Sequence, residues 1–129
     1  MTIDVTDPGA AVLDFLAERH LATLTTLRAD GSPHVVPVGF GYDAVARVAR
    51  IITFAGSQKV RNVARGGRGA LSQVDGGRWL TLEGPARVVT DDDGVAAAVA
   101  AYAARNHQPG RRPDSVAVEI DVDRMMGRA

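Results

Sequence analysis

Gly69-Ala70-Leu71-Ser72-Gln73-Val74-Asp75-Gly76-Gly77-Arg78-Trp79-Leu80-Thr81-Leu82-Glu83-Gly84-Pro85-Ala86-Arg87-Val88-Val89 reads as two strands around a tight turn. Asp75, Gly76 and Gly77 supply the turn chemistry, and the flanking runs are rich in Leu, Val, Thr and Trp. An antiparallel hairpin this deep in the chain argues against a parallel nucleotide-binding sheet.

Upstream, the pattern repeats. Leu21 to Leu27 and Val35 to Phe40 are strand-like runs separated by Ala29, Asp30, Gly31 and Ser32, a second hairpin. Pro37 cannot donate to a ladder, so the later of these runs is expected on an edge or at a bulge. Val48 to Phe54 is a further strand. Gly9 to Arg19 sets Val12, Leu13, Leu16 and Ala17 on one helical face, with Asp7 before Pro8 as its start signal. Asp91 to Asp93 cap an alanine-rich helix running to about Arg105, Pro109 to Pro113 break the chain, and Val116 to Val122 alternates as a half-buried strand. Met125 and Met126 read as a packing or disordered tail. The expected architecture is mainly β with helices (α+β): a single domain over residues 1–129, built as a six-stranded antiparallel barrel with helices at its ends.

A chain of 129 residues without cysteine excludes disulfide scaffolds, thiolate zinc sites and thiol catalysis. Fifteen basic residues cancel fifteen acidic ones, so no global field points to nucleic acid, and no apolar run is long enough to span a membrane. Asp4 and Asp7 stand where a signal peptide would be basic, and a cytoplasmic protein is expected. The charges are unevenly spread. No acidic residue lies between Asp43 and Asp75, a window holding Arg47, Arg50, Lys59, Arg61, Arg65 and Arg68, which suits a modest anionic ligand.

Inside that window, Thr53 to Asn62 carries the most chemistry. A strand ends at Phe54, Gly56 permits a turn, and Ser57 is an N-cap for a helix through about Arg65. Helical spacing puts Val60, Val63 and Ala64 on the buried stripe and Lys59 with Asn62 along one edge. A first-turn lysine opposes the helix dipole unless an anion is bound, so the segment suits a phosphate; it suits an ordinary capped helix with a solvated lysine equally.

The chain resembles the pyridoxamine-phosphate-oxidase-like split-barrel flavoproteins. In that family a strand ending in threonine leads into a glycine, serine, any residue, lysine sequence that binds the flavin phosphate, and Thr53, Ser57, Gln58 and Lys59 match it. Asp30-Gly31 before Ser32-Pro33-His34, and Trp79 to Gly84, extend the resemblance over nearly the whole length. The oxidases carry an arginine and a lysine where Val36 and Gly41 stand here, and no counterpart of their C-terminal tryptophan and arginine follows Met126. Those departures are similar to the actinobacterial branch that uses the deazaflavin coenzyme F420, with FMN as the alternative cofactor.

The resemblance implies an FMN-binding-type split β-barrel and a homodimer with the cofactor in a groove between subunits. It implies ring contacts from Val36, Pro37 and Val38, with Thr53 and Gln58 in the binding motif and Trp79 near the ring or tail. Ser57, Lys59 and Asn62 would hold the phosphate, and Arg61 and Arg65 the anionic tail. The implied reaction is direct hydride transfer to a conjugated small molecule, a tetrapyrrole such as biliverdin being favoured. An FMN-dependent oxidase or flavin reductase and a non-catalytic cofactor carrier share the same motif. No catalytic side chain is assigned, since water suffices as the acid. His20, His34 and His107 lack metal-ligand spacing, and no metal is expected.

Overall fold

The computed structural model describes residues 1–106 and 112–129; His107 and the start of the expected break at Pro109 lie outside them. In chain order the elements are β1 (Thr2–Ile3), α1 (Ala10–Ala17), β2 (Ala22–Leu27), β3 (Pro33–Val38), β4 (Gly41–Asp43) and β5 (Val48–Phe54). Next come α2 (Gln58–Ala64), β6 (Arg68–Asp75), β7 (Arg78–Val89), α3 (Asp92–Arg105), β8 (Ser115–Asp121) and β9 (Arg124–Arg128). Every pairing is antiparallel.

The strands follow the path β3-β2-β6-β7-β8-β5-β4. β7 makes this curl possible. Its first part pairs with β6 and β9, while Ala86 to Val89 pairs with β8. The change of partner falls at Gly84, where a Cβ would stand 1.7 Å from the Asp121 carbonyl oxygen; only glycine lets the two backbones cross so closely. The sheet thus wraps around one core, and its path ends at β3 and β4. The chain crosses between these two at Gly39 and Phe40, leaving a seam: among the described residues β3 pairs only with β2, and the β4 to β5 ladder stops at Arg50. This is the expected α+β split barrel, with Pro37 on an edge strand.

Three strands exceed the expected six. β1 and β4, of two and three residues, are too short for periodicity to reveal. β9 corrects the reading of Met125 and Met126 as a tail: Met125 is fully buried, and the segment ladders onto β7 and β1. β8 is likewise not half-buried. Val116 through Ile120 are all buried, because β7 and β5 flank the strand and α3 packs against it. In α1, Phe15 takes the core position that spacing gives to Leu13, and Gly9 rather than Asp7 stands at the N-cap. Phe15, Leu24, Phe40, Ile51, Leu71, Leu80, Leu82 and Ile120 form the centre of the core, each worth roughly 1.5–3 kcal/mol relative to exposure.

Candidate functional site

The seam holds the candidate site. A hollow of about 250 Å³ opens between Pro37, Val38 and Gly39 on one wall and Ile52, Thr53 and Phe54 on the other. Both walls are strand segments without a ladder partner on the facing edge, so their backbone groups are available to a ligand. Lys59, Tyr102, Arg112 and Ser115 complete the lining among the described residues.

α2 brings Lys59 here. Ser57 caps the helix, its Oγ accepting from the Val60 amide at 3.4 Å and from Thr53 Oγ1 at 3.2 Å. These bonds tie the helix start to the end of β5 and aim Lys59 into the hollow, its Nζ 5.9 Å from the Phe54 ring centroid. Burial alone holds the Lys59 ammonium below its ordinary pKa. Among the described residues it has no carboxylate partner. Arg112 lies 4.7 Å from the same ring and is paired with Asp114 at 3.0 Å.

Not all of the expected site residues meet at the seam. Pro37, Val38, Thr53 and Lys59 do. Val36 turns inward against the core. Ser57, 5% exposed, acts as a cap behind the wall. Asn62 is 3% exposed, on the buried face where helical spacing put Ala64. Its Nδ2 donates to Thr26 Oγ1 at 3.0 Å, and its Oδ1 accepts from Gln58 at 2.7 Å and Arg65 at 3.1 Å. Both polar ends are used inside the protein. Gln58 also accepts from Arg61 at 2.6 Å, and Arg61 reaches the Gly56 carbonyl at 2.6 Å. Arg65 donates to the Leu27 carbonyl at 2.9 Å, a staple from α2 to β2. Trp79 lies on the outer face of the sheet beside Val74 and Arg128, three strands from β3. Within one chain it does not line this hollow.

The basic window also resolves differently in three dimensions. Arg50 pairs with Glu119 at 3.0 Å and Asp43 at 3.1 Å, and Arg68 with Asp123 at 2.5 Å. Carboxylates from neighbouring strands neutralise these two arginines, and from that window it is Lys59 that lines the seam.

Sequence spacing misses three features. His34 faces inward beside α2, its buried Nδ1 without a partner among the described residues; burial, then Arg28, Lys59 and Arg61, push its pKa down. Tyr102 reaches the hollow from α3. His20 has two carboxylates near it: Glu18 at 2.9 Å and Asp75 at 4.0 Å. Arg78 sits in the same cluster, donating to both Glu18 oxygens, and its hydrogen bonds, with that from His20, hold the Glu18 carboxyl down to about 2. That guanidinium already occupies the oxygens a cation would need.

A barrel split along one seam, with a lysine from a capped helix facing the opening, defines the flavin-binding split-barrel class. The model of the pyridoxamine 5'-phosphate oxidase family matches residues 9–128, and the chain belongs to that family. Within it, the chain is 54% identical over 117 residues to the F420H(2)-dependent biliverdin reductase of Mycobacterium tuberculosis, covering 91% of this chain and 85% of the relative. Among solved structures, the conserved hypothetical protein Rv2991 of M. tuberculosis superposes with a TM-score of 0.78 at 22% identity, covering 92% of this chain and 82% of the other. A structure described as an F420 reductase gives 0.69 at 24% identity, covering 88% and 94%. Both structures share the fold.

Proposed function

We infer that this chain is an F420H2-dependent oxidoreductase that reduces biliverdin to bilirubin. The observation that carries this reading is the 54% identity, over 91% of the chain, to a relative of that name. When bound, the reduced deazaflavin supplies a hydride to the central bridging carbon of the tetrapyrrole, and a proton added at a pyrrole nitrogen completes the two-electron reduction.

The residues at the seam fit such a cofactor. Among the described residues Lys59 is a partly buried cation without a carboxylate, and His34 Nδ1, without a hydrogen-bond partner, lies in the field of Arg28, Lys59 and Arg61. Such a place favours an anionic group. Lys59 binds the phosphate, Ser57 and Thr53 fix the helix start that aims it, and Gln58 stiffens the same turn. The free edges at Pro37–Val38 and Ile52–Thr53 offer backbone partners for a polar ring, while Val36 backs that wall from the core. Arg61 and Arg65, both exposed on α2 and its C-cap, are the candidates for an anionic tail. The protein's part is placement and exclusion of water; the cofactor carries the hydride chemistry.

A homodimer belongs to this reading. Leu27, Val35 and Val74, 56%, 55% and 66% exposed, share the outer face of the sheet with Thr23, Thr25 and Trp79. Exposed apolar side chains gathered on one sheet face suit a second copy, and Trp79 then approaches the neighbouring subunit's cofactor. The chain acts as one domain, and its lack of cysteine suits a reducing cytoplasm.

Titration of the purified protein with F420 and FMN, read by fluorescence, tests the cofactor; F420 is expected to bind more tightly. Biliverdin added with reduced F420 is expected to yield bilirubin over many turnovers. Tight binding of FMN alone, or no bilirubin beyond one cofactor equivalent, overturns the reading.

A further inference from the structure

Reducing the tetrapyrrole takes a hydride at the bridging carbon and a proton at a pyrrole nitrogen. Water can deliver the proton, yet an acid held in place typically gains a factor of about 10²–10⁴. Five polar side chains line the seam among the described residues: Thr53, Lys59, Tyr102, Arg112 and Ser115. Four of them are engaged or unsuited. Thr53 Oγ1 donates to Ser57 Oγ at 3.2 Å. Arg112 is paired with Asp114 at 3.0 Å, and a guanidinium does not give up its proton. Ser115 Oγ accepts from the Arg112 amide at 2.9 Å, and an alkyl hydroxyl is a far weaker acid than a phenol. Lys59 is the phosphate ligand of the reading above, and a phosphate keeps its ammonium protonated.

Tyr102 is the fifth. A Cβ on Gly39 would meet Tyr102 Cε2 at 2.7 Å, Oη at 3.1 Å and Cζ at 3.2 Å, so the hydroxyl end of the ring covers the glycine. Among the described residues that Oη has no hydrogen-bond partner. The backbone that carries it is held firmly. Asn106 Nδ2 donates to the Phe40 and Tyr102 carbonyls, each at 3.2 Å. The buried Arg105 donates to the Phe40 carbonyl at 3.1 Å and the Glu18 carbonyl at 2.6 Å. These bonds tie the end of α3 to the β3–β4 corner and to the end of α1. Gly39 continues the Pro37–Val38 edge assigned to the cofactor ring, so the phenol borders the place where hydride moves. Tyr102 and Gly39 also line a second hollow of about 400 Å³, shared with His20, Leu21 and Asn106. That volume admits several waters.

We propose that Tyr102 is the acid of this reaction: its phenol gives a proton to the pyrrole nitrogen, and water in the second hollow restores it. The proposal rests on the F420 and biliverdin reading above. The Tyr102 O–H bond breaks as the new N–H bond forms, leaving a phenolate, and a proton returns to it from water. Oxidation of the reduced cofactor releases a hydride and a proton, the hydride to the bridging carbon and the proton to solvent, so no proton is gained or lost overall.

The test uses the full chain and compares wild type with Tyr102→Phe, which keeps the ring on Gly39 and removes the O–H. The expected kcat is about a hundredfold lower, with the F420 Kd and the biliverdin KM within threefold. Imidazolium, raised at fixed pH and ionic strength, is expected to restore the variant at least fivefold and to leave the wild type unchanged. Binding supplies a second readout. With oxidised F420 present no turnover occurs, and the visible absorption band of bound biliverdin is expected to differ between wild type and variant, because the hydrogen bond to its nitrogen is lost. A kcat within threefold of wild type, a loss that imidazolium does not relieve, or identical spectra of the bound pigment overturns the assignment. A wild-type protein that neither binds nor reduces biliverdin refutes the function itself and this role with it; an active wild type with a silent Tyr102→Phe refutes only the acid.

Discussion

Asn62→Ala separates two roles that helical spacing merges. Lys59 and Asn62 share an edge of a regular helix, yet the structure makes Asn62 an internal link between α2 and β2. Removing the amide strips Thr26 Oγ1, itself in a residue 2% exposed, of its donor at 3.0 Å. A buried polar atom left unpaired costs about 1–3 kcal/mol, and the space vacated by the amide adds about 1 kcal/mol. Gln58 and Arg65 turn to solvent at little cost. The expected loss is therefore about 2–4 kcal/mol. For a urea m value of about 2 kcal/mol/M this lowers the midpoint by roughly 1–2 M. Chemical denaturation at fixed protomer concentration measures it, since association would otherwise shift the apparent stability. F420 affinity per folded molecule is expected to stay within twofold. A variant of undiminished stability that binds F420 tenfold more weakly would show that Asn62 touches the cofactor, refuting its placement.

Lys59→Ala is the mirror case. With no carboxylate to orphan, it leaves the urea midpoint nearly unchanged and weakens F420 binding by tenfold or more, the worth of a charge-assisted contact of about 1.5–3 kcal/mol. Because binding favours the protonated amine, F420 affinity falls as pH rises through the Lys59 pKa, which burial sets below 10.5; Lys59→Arg flattens that decline, and a flat wild-type profile contradicts the contact. Arg105→Met removes the charged donor from the Glu18 and Phe40 carbonyls and from Gln73, so a stability loss of about 2–4 kcal/mol is expected by denaturation, the arginine's own desolvation offsetting part of a larger figure. Val35→Asp with Val74→Lys charges the outer sheet face, and sedimentation is expected to show a monomer; an unchanged dimer would place the interface elsewhere.

Helix starts, turns and strand runs were legible because each depends on a few neighbouring residues. Ser57 caps α2, Asp91 caps α3, and β5 occupies the very span its β-branched run marks. Pro37 alone announces an edge, since a missing N–H is a property of one residue. The lysine of the seam was legible too, through a motif shared across the family. Short strands were not, because two or three residues carry no periodicity.

Charge and burial belong to the tertiary structure. The stretch from Arg47 to Arg68 reads as an unbroken basic patch only while Glu119 and Asp123 are far away along the chain; folding brings them, with the nearby Asp43, to within about 3 Å of Arg50 and Arg68 and neutralises those two arginines. Asn62 is polar in any sequence reading, and only Thr26, 36 residues earlier on the adjoining strand, makes it an interior residue. Tyr102 and Gly39 carry no motif at all. Their meeting is fixed by the packing of α3 against the β3–β4 corner, a contact between residues 63 positions apart. The sequence by itself determined the longer elements, the barrel class and the position of Lys59, because those follow from local stereochemistry and a contiguous motif. Which charges survive, which polar groups are interior and where a second molecule can stand depend on contacts between distant segments, and those exist only once the sheet has closed upon its seam.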